Sequence, residues 1–130
     1  MKDKVNNEVK HREPWRVFAQ TMLNRAAKEY LEVFFLVRFM LFSLKVRDGK
    51  LKEIIATNHV DGTVRPQILE RDVNPKYYKL IENFESEKSI PVVLNTSFND
   101  KGKPIVLTPQ DAIRTFFSTG LDAIAIGNFR

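Results

Sequence analysis

The chain has 130 residues, of which 43% are apolar and 28% charged, so it can bury the core of one domain. It contains no cysteine, which excludes disulfides, thiolate metal sites and cysteine nucleophiles. The net charge of +5 favours an anionic partner, but the basic residues do not form the block that marks a nucleic-acid arm. We therefore expect a small phosphorylated ligand ahead of nucleic acid.

No segment has the character of a signal peptide or a membrane span. The first twelve residues are polar and charged. The strongest apolar run, residues 33–44, is short and is interrupted by Arg38. Together with the absence of cysteine, this pattern predicts a cytoplasmic protein without membrane contact.

The first predicted element is an amphipathic helix over residues 16–30. Apolar side chains recur there at Phe18, Met22, Ala26 and Tyr30. A spacing of four residues returns side chains to one face of a helix, so the pattern predicts a helix that packs on a core.

A β-hairpin is predicted next. The apolar run after the helix is ambiguous by period, and we interpret residues 40–46 as a strand. Asp48-Gly49 then predicts a tight turn into a second strand over residues 51–57, because glycine adopts the positive φ that such a turn needs.

Two further helices are predicted from their start signals. Asn74 before Pro75 is typical of an N-cap followed by proline at the first helical position. Thr108, with Asp111 three residues later, predicts a second capped helix, and Gly120 is placed to end it.

The remaining apolar runs, residues 90–94 and 121–126, predict two more strands. Strands and helices thus alternate, with at least one hairpin. We therefore predict the α/β (α+β) class, with a mixed twisted sheet and flanking helices.

The first of three polar clusters, residues 10–16, contains Lys10, Arg12 and Arg16. If Pro14 opens a helix, these cations surround a helix N-terminus, and they are favourable there when an anion lies between them and the helix. Arginine suits bidentate phosphate contacts, and lysine supplies a point charge. From the residues alone, a solvated basic stretch at a frayed terminus is the favoured interpretation.

The second cluster, residues 59–65, contains His59, Asp61, Thr63 and Arg65. These side chains could bind a nucleotide or orient a carboxylate. An ordinary turn with Gly62 at its corner is the favoured interpretation. One histidine and one aspartate are too few ligands for a metal site, and we predict none.

The third cluster follows the predicted strand at residues 90–94 and contains Asn95, Ser97 and Asn99. Small polar side chains at the carboxyl end of a strand are well placed to contact a ligand in an open α/β sheet. The alternative is a polar loop that closes a hairpin toward residues 104–107.

The same clusters lie in the stretches KHREPWRVFA (residues 10–19), HVDGTVRPQ (59–67) and PVVLNTSFN (91–99). In order and spacing they resemble the C-terminal domain of the carbamoyltransferases that include nodulation protein U and the antibiotic O-carbamoyltransferases. The resemblance extends over nearly the whole chain, and only residues 31–53 match poorly.

The resemblance implies a two-part enzyme. An N-terminal actin-like domain would carry iron and perform the carbamoyl transfer. The C-terminal domain would resemble YrdC-type threonylcarbamoyl-adenylate synthases and join carbamoyl phosphate and ATP into a carbamoyl-adenylate. Magnesium would accompany the nucleotide, held mostly by phosphate and water.

The resemblance also implies residue roles. Catalytic cations around the phosphate groups would be Lys10, Arg12 and Arg16. Nucleotide-binding residues would be Ser97, Asn99, Asn95 and Arg65. No role follows for His59 or Asp61. We expect the basic cluster to converge on one concavity with Ser97 and Asn99.

The chain departs from the family pattern in sequence and in length. Family members have prolines on both sides of the Phe18-Ala19 pair, where this chain has Val17 and Gln20. We further expect residues 1–130 to be a C-terminal carbamoyltransferase domain shortened at its N-terminal side. It would be a fragment or subunit that pairs with an actin-like domain on another chain and is inactive alone. The alternative is a non-catalytic remnant or interaction module.

Overall fold

The computed structural model describes residues 1–130, which divide into two compact units. The first unit comprises Met1–Arg16 and Ser97–Arg130, and the second unit comprises Val17–Thr96. The helices are α1 (Lys2–Lys4), α2 (Asn24–Tyr30), α3 (Pro75–Lys88) and α4 (Pro109–Phe117). The strands are β1 (Ala19–Leu23), β2 (Leu44–Lys45), β3 (Thr63–Val64), β4 (Pro66–Leu69) and β5 (Val92–Asn95). No helix has the length and apolar character needed to span a membrane.

The second unit is built on a three-stranded mixed sheet in the order β4-β1-β5. Central β1 runs parallel to β4 and antiparallel to β5, so that Met22 lies between Ile68 and Val92. Strands β2 and β3 form a separate antiparallel pair. The mixed sheet and its helices confirm the predicted α+β class.

The core of the second unit lies around β1, α2 and α3. Its fully buried side chains include Met22, Leu23, Tyr30, Leu31 and Ile81. On the sheet, buried Thr21 donates to Gln67, and Asn95 Nδ2 donates to Thr21 Oγ1 at 3.0 Å. These hydrogen bonds satisfy polar groups that burial would otherwise penalise.

The predicted helix over residues 16–30 is wrong in its first half, because β1 (Ala19–Leu23) is the central strand. All five of its residues are buried, so β1 shows no alternation of polar and apolar positions. Such a strand cannot be distinguished from a buried helix by periodicity. The helix begins only at Asn24.

The predicted hairpin over residues 40–57 is also wrong. Strand β2 is two residues long and pairs with β3, while Asp48–Lys50 forms a 3₁₀ turn. Gly49 does not adopt the positive φ of the expected turn. Residues 51–57 instead form successive turns, closed by a hydrogen bond from Asn58 Nδ2 to the Leu51 carbonyl at 2.7 Å.

The predicted strand over residues 121–126 is absent, and only an isolated bridge joins Ile126 to Phe129. All the strands belong to the second unit, so this segment has no neighbouring strand within its own unit. The alternative hairpin toward residues 104–107 is reduced to one backbone hydrogen bond, from Val106 to Phe98.

Both predicted helix starts are confirmed. Asn74 Oδ1 accepts from the backbone N–H of Tyr77 at 3.1 Å. Thr108 and Asp111 form a complete capping box at the start of α4. Helix α4 ends at Phe117, before the predicted Gly120, whose N–H donates to the Glu8 carbonyl at 2.7 Å.

Candidate functional site

The basic segment at residues 10–16 is held in place by Asn6. This side chain is fully buried within the π-helical turn Val5–Val9. Its Nδ2 donates to the carbonyls of Pro14 (3.3 Å) and Arg16 (2.9 Å), and its Oδ1 accepts from Arg12 Nε at 2.8 Å. Asn6 therefore links both ends of the segment and orients one of its guanidinium groups.

No helix opens at Pro14, contrary to the arrangement considered from sequence. Residues 14–15 form a turn, and the next element is β1. The cations instead follow the end of the turn Val5–Val9, with Lys10 at its C-cap. A positive charge is electrostatically favourable at a helical C-terminus.

Lys10 is only 5% exposed and fixes the loop that follows β5. Its Nζ donates to the carbonyls of Ser97 (3.0 Å) and Asn99 (2.6 Å) and to Asn99 Oδ1 (2.7 Å). These acceptors engage all three donors of the ammonium group. Burial lowers the pKa of Lys10, and the charges of Arg12 and Arg16 lower it further.

The loop itself is closed by side-chain hydrogen bonds. Ser97 Oγ donates to Asn99 Oδ1 at 2.6 Å, and Asn99 Nδ2 donates to the Lys103 carbonyl at 2.7 Å. Gly102 has a φ of 73°, a left-handed conformation that favours glycine. The loop is therefore pre-formed around Lys10.

These elements enclose a cavity of about 240 Å³, the basic cavity. Its lining residues are Lys10, Arg12, Arg16, Ser97, Asn99, Asp100, Lys101 and Gly102. Burial, followed by the charge of Arg16, lowers the pKa of Arg12. Concentrated positive charge with polar walls suits an anion with several oxygen acceptors.

Hydrogen bonds and ion pairs engage the acidic groups near the cavity. Asp100 Oδ1 lies 2.9 Å from His11 Nδ1 and accepts from the Lys101 N–H at 2.7 Å. These two hydrogen bonds hold the pKa of Asp100 below its usual range. Glu13 lies 3.7 Å from both Arg16 and Lys101. His11 has a φ of 46°, so the chain turns sharply between Lys10 and Arg12.

The structure brings together five of the seven predicted site residues. Lys10, Arg12, Arg16, Ser97 and Asn99 line the basic cavity, as the expected convergence requires. Their roles in phosphate and nucleotide binding stay predictions.

Arg65 and Asn95 belong to the second unit and do not line the basic cavity. Asn95 Nδ2 bonds to Thr21 and Gln67 on the sheet, and Arg65 contributes its carbonyl to the backbone of Gln20. Their predicted contacts with a nucleotide therefore stay predictions.

The second polar cluster forms a turn, as its sequence predicts. Asp61 Oδ1 accepts from the N–H and the hydroxyl of Thr63, and these bonds lower the pKa of Asp61. Gly62 has a φ of 75°, and His59 Nδ1 lies 3.0 Å from Thr63 Oγ1. These contacts thus fix the conformation of the turn that leads into β3.

Asn6 is the site residue that sequence reasoning missed. It lies among polar residues at a terminus and gives no local signal of burial. His11 falls inside the basic cluster, but its pairing with Asp100 joins residues 89 positions apart. Only the folded chain reveals these contacts.

The mixed sheet with its helices defines an α+β domain, and the first unit carries a polar cavity lined by three cationic side chains. The chain belongs to the Carbamoyltransferase C-terminus family, whose sequence model matches residues 1–130.

Several curated proteins are similar to this chain over nearly its full length. It is 43% identical over 131 residues to "Nodulation protein NolO" of Bradyrhizobium diazoefficiens, covering 98% of this chain and 24% of that protein. It is 39% identical over 131 residues to "Nodulation protein NolNO" of Sinorhizobium fredii, covering 98% of this chain and 19% of that protein.

A more distant relative is "3'-hydroxymethylcephem-O-carbamoyltransferase" of Amycolatopsis lactamdurans. The chain is 27% identical to it over 122 residues, covering 94% of this chain and 23% of that protein. Across these relatives, the chain spans about a fifth to a quarter of their length.

Proposed function

We propose that this domain binds the phosphoryl groups of ATP and carbamoyl phosphate in the basic cavity and forms a carbamoyl-adenylate for transfer to an acceptor hydroxyl. The observation that carries the proposal is the convergence of Lys10, Arg12 and Arg16 on one polar cavity. Family membership supports the carbamoyl group as the transferred unit.

The proposed reaction needs charge stabilisation more than covalent catalysis. In the first step, water attacks the phosphorus of carbamoyl phosphate. The products are inorganic phosphate and carbamate. A carbamate oxygen then attacks the α-phosphorus of ATP, and the bond to pyrophosphate breaks. Fixed cations reduce repulsion between the two anionic substrates and stabilise charge on the leaving pyrophosphate.

The side chains that line the basic cavity have different roles in this reaction. Lys10 holds the loop through hydrogen bonds to Ser97 and Asn99 and contributes its charge to the cavity. Arg12, oriented by Asn6, and Arg16, about half exposed, supply the guanidinium groups for phosphate oxygens. Ser97 and Asn99 shape the loop beside them.

Magnesium would enter with the nucleotide. Asp100 is the one carboxylate in the lining, and its oxygens are already bonded to His11 and the Lys101 N–H. These residues fit a magnesium ion held by phosphate and water better than one held by the protein.

The carbamoyl transfer is assigned to another part of the enzyme. The relatives are four to five times as long as the matched region, which supports a partner that carries the acceptor site. We propose that the domain acts with an N-terminal carbamoyltransferase portion, and that the chain alone binds its substrates without completing transfer.

Isothermal titration of the chain with ATP and with carbamoyl phosphate tests this proposal. Replacing Arg16 by alanine should weaken ATP binding about tenfold or more, the effect of losing one charge-assisted hydrogen bond. Arg38→Ala is the matched control, because Arg38 is equally exposed (49% against 50%) and also forms an ion pair. No heat with either ligand would contradict the proposal and favour a non-catalytic module.

A further inference from the structure

Residues 33–42 of the second unit form an exposed apolar surface, the apolar face. Seven of its side chains are large apolar groups that are 38–75% exposed. The segment is nonetheless anchored to the unit. The carbonyl of buried Val37 accepts from the N–H of Ile68 in β4 at 2.7 Å, and Arg38 forms an ion pair with Glu70. The apolar face is therefore a pre-formed surface that this chain leaves uncovered.

The exposed area of the apolar face is that of a protein interface. A fully exposed aromatic side chain presents about 200 Å², so the exposed fractions correspond to roughly 700 Å². The largest apolar patch of a typical monomer covers about 300–600 Å². Stable interfaces bury about 800 Å² on each partner. The apolar face is thus large for a monomer and close in area to what a stable interface needs.

The composition of the apolar face is also that of an interface. It contains four phenylalanines, a methionine and an arginine, and no lysine, glutamate, aspartate, serine or alanine. Aromatic residues, methionine and arginine are enriched at the centre of protein interfaces, where the other five residue types are depleted. A segment that binds an anionic membrane surface would carry several unpaired cations. Here Arg38 is the one cation of the segment, and it is paired with Glu70.

The apolar face combines a concave part with exposed apolar side chains. Phe35 and Phe42 pack edge to face, with ring centres 5.2 Å apart. Beside them is a groove of about 250 Å³, lined by Leu36, Val37, Arg38, Phe39, Leu41 and Phe42. Phe39 and Leu41 are the most exposed of these side chains. One surface thus carries both a groove and the apolar groups that fill such a groove.

We propose that two copies of this chain bind each other through the apolar face about a two-fold axis. A two-fold contact uses the same patch on both copies and therefore requires a self-complementary surface. Each copy has a net charge of +5, but the pairing of Arg38 with Glu70 keeps unpaired charge out of the contact. The inference is independent of the proposed function, because the apolar face shares no residue with the basic cavity.

Sedimentation velocity of the unaltered chain tests the association directly. We expect a reversible equilibrium between monomer and dimer at micromolar to submillimolar concentrations. Added sodium chloride should not weaken the dimer, because the contact is apolar and salt screens the repulsion between two positively charged copies. A chain that stays monomeric over the whole concentration range would overturn the inference.

A matched pair of leucine variants locates the contact. Leu41 in the apolar face is 75% exposed, and Leu107 in the first unit is 91% exposed, so the fold should tolerate glutamate at either position. Leu41→Glu brings a charge into the contact and should raise the dimer dissociation constant at least about tenfold. Leu107→Glu should leave that constant unchanged within error. Equal constants for the two variants would overturn the inference.

Isotope-filtered NMR tests the two-fold arrangement without any substitution. In a mixture of ¹³C-labelled and unlabelled chains, filtered NOEs arise only between copies. We expect them between the methyl groups of Leu36 or Leu41 and the ring of Phe39. Intermolecular NOEs from these methyl groups only to residues outside 33–42 would indicate a head-to-tail contact and overturn the inference.

Two other occupants of the apolar face are distinguished with the same samples. A monomeric chain that co-sediments with phosphatidylcholine vesicles, and loses this binding in Leu41→Glu, would assign the face to a lipid surface. A monomeric chain that does not bind the vesicles would leave the face for the remainder of a longer carbamoyltransferase. Either result would overturn the proposed dimer.

Discussion

Different interactions stabilise the interior of each of the two units. Every residue of the buried apolar cluster belongs to the second unit. The buried residues of the first unit are Asn6, Lys10 and Ala112, two of them polar. The second unit therefore depends mainly on apolar burial, whereas the basic cavity depends on hydrogen bonds around two buried polar side chains.

Stability and site geometry therefore have separate physical origins in the two units. Apolar burial is nondirectional and scales with area, so it stabilises the fold without fixing individual atoms. Hydrogen bonds are directional, and losing one partner leaves the other unsatisfied. Substitutions in the apolar core of the second unit should consequently change stability, whereas those at the buried polar side chains of the first unit should change ligand binding as well.

The largest effect is expected from the core of the second unit. Ile81→Ala removes a fully buried side chain of α3 and should lower the free energy of unfolding by about 2–5 kcal/mol. Leu80→Ala, next to it but 57% exposed, should stay within about 0.5 kcal/mol. Urea denaturation measures both, and equal losses would contradict an apolar core at Ile81.

Removing Asn6 should affect the site as well as stability. Asn6→Ala removes the hydrogen bonds of Asn6 to Arg12 Nε and to two backbone carbonyls, which should cost about 1–3 kcal/mol of unfolding free energy. It should also weaken binding of inorganic pyrophosphate, because Arg12 and Arg16 lose their support. Asn7→Ala, at an exposed neighbouring position, is the control. Equal pyrophosphate affinity in both variants would show that Asn6 does not position the cations.

A substitution that adds one methyl group tests how closely Gly120 approaches Glu8. A Cβ at Gly120 would lie 2.9 Å from Glu8 Cβ and 3.1 Å from the Glu8 carbonyl oxygen. Gly120→Ala should therefore destabilise the chain by about 1 kcal/mol through overpacking. Gly49→Ala meets no atom within 4 Å and should show no such loss. Thermal unfolding of the two variants distinguishes them, and a neutral Gly120→Ala would contradict the close approach.

The smallest effect concerns acid stability at Asp100. The folded state lowers the pKa of Asp100 from its ordinary 3.8, chiefly through the hydrogen bond with His11. Its stabilising contribution is therefore present above about pH 4 and is lost as the pH falls through the lowered pKa. Melting temperatures between pH 2 and 6 should fall less steeply for Asp100→Asn than for the unaltered chain. Identical slopes would mean that the pairing of Asp100 with His11 does not contribute.

Local signals in the sequence predicted helix starts well. Asn74 and Thr108 cap their helices through hydrogen bonds within three residues, so the relevant interaction is visible in a short window. The turn at Gly62 is predictable for the same reason, because positive φ favours glycine.

Elements that depend on distant partners were not predictable. Strand β1 is buried by its neighbours β4 and β5, and this burial removes the alternation that identifies a strand. Asn6 is buried by contacts with residues 6 to 10 positions away, which no periodic pattern marks. The convergence of Lys10 with the Ser97–Asn99 loop was expected from the family resemblance and not from spacing.

The most direct measurement is an NMR titration with inorganic pyrophosphate that follows the arginine Nε–H and backbone amide signals. Binding in the basic cavity predicts saturable shifts at Arg12, Arg16 and residues 97–102, while the Nε–H signal of Arg38 stays unchanged. Shifts confined to residues 59–65, or no saturable shift at millimolar pyrophosphate, would contradict the assignment of phosphoryl binding to this cavity.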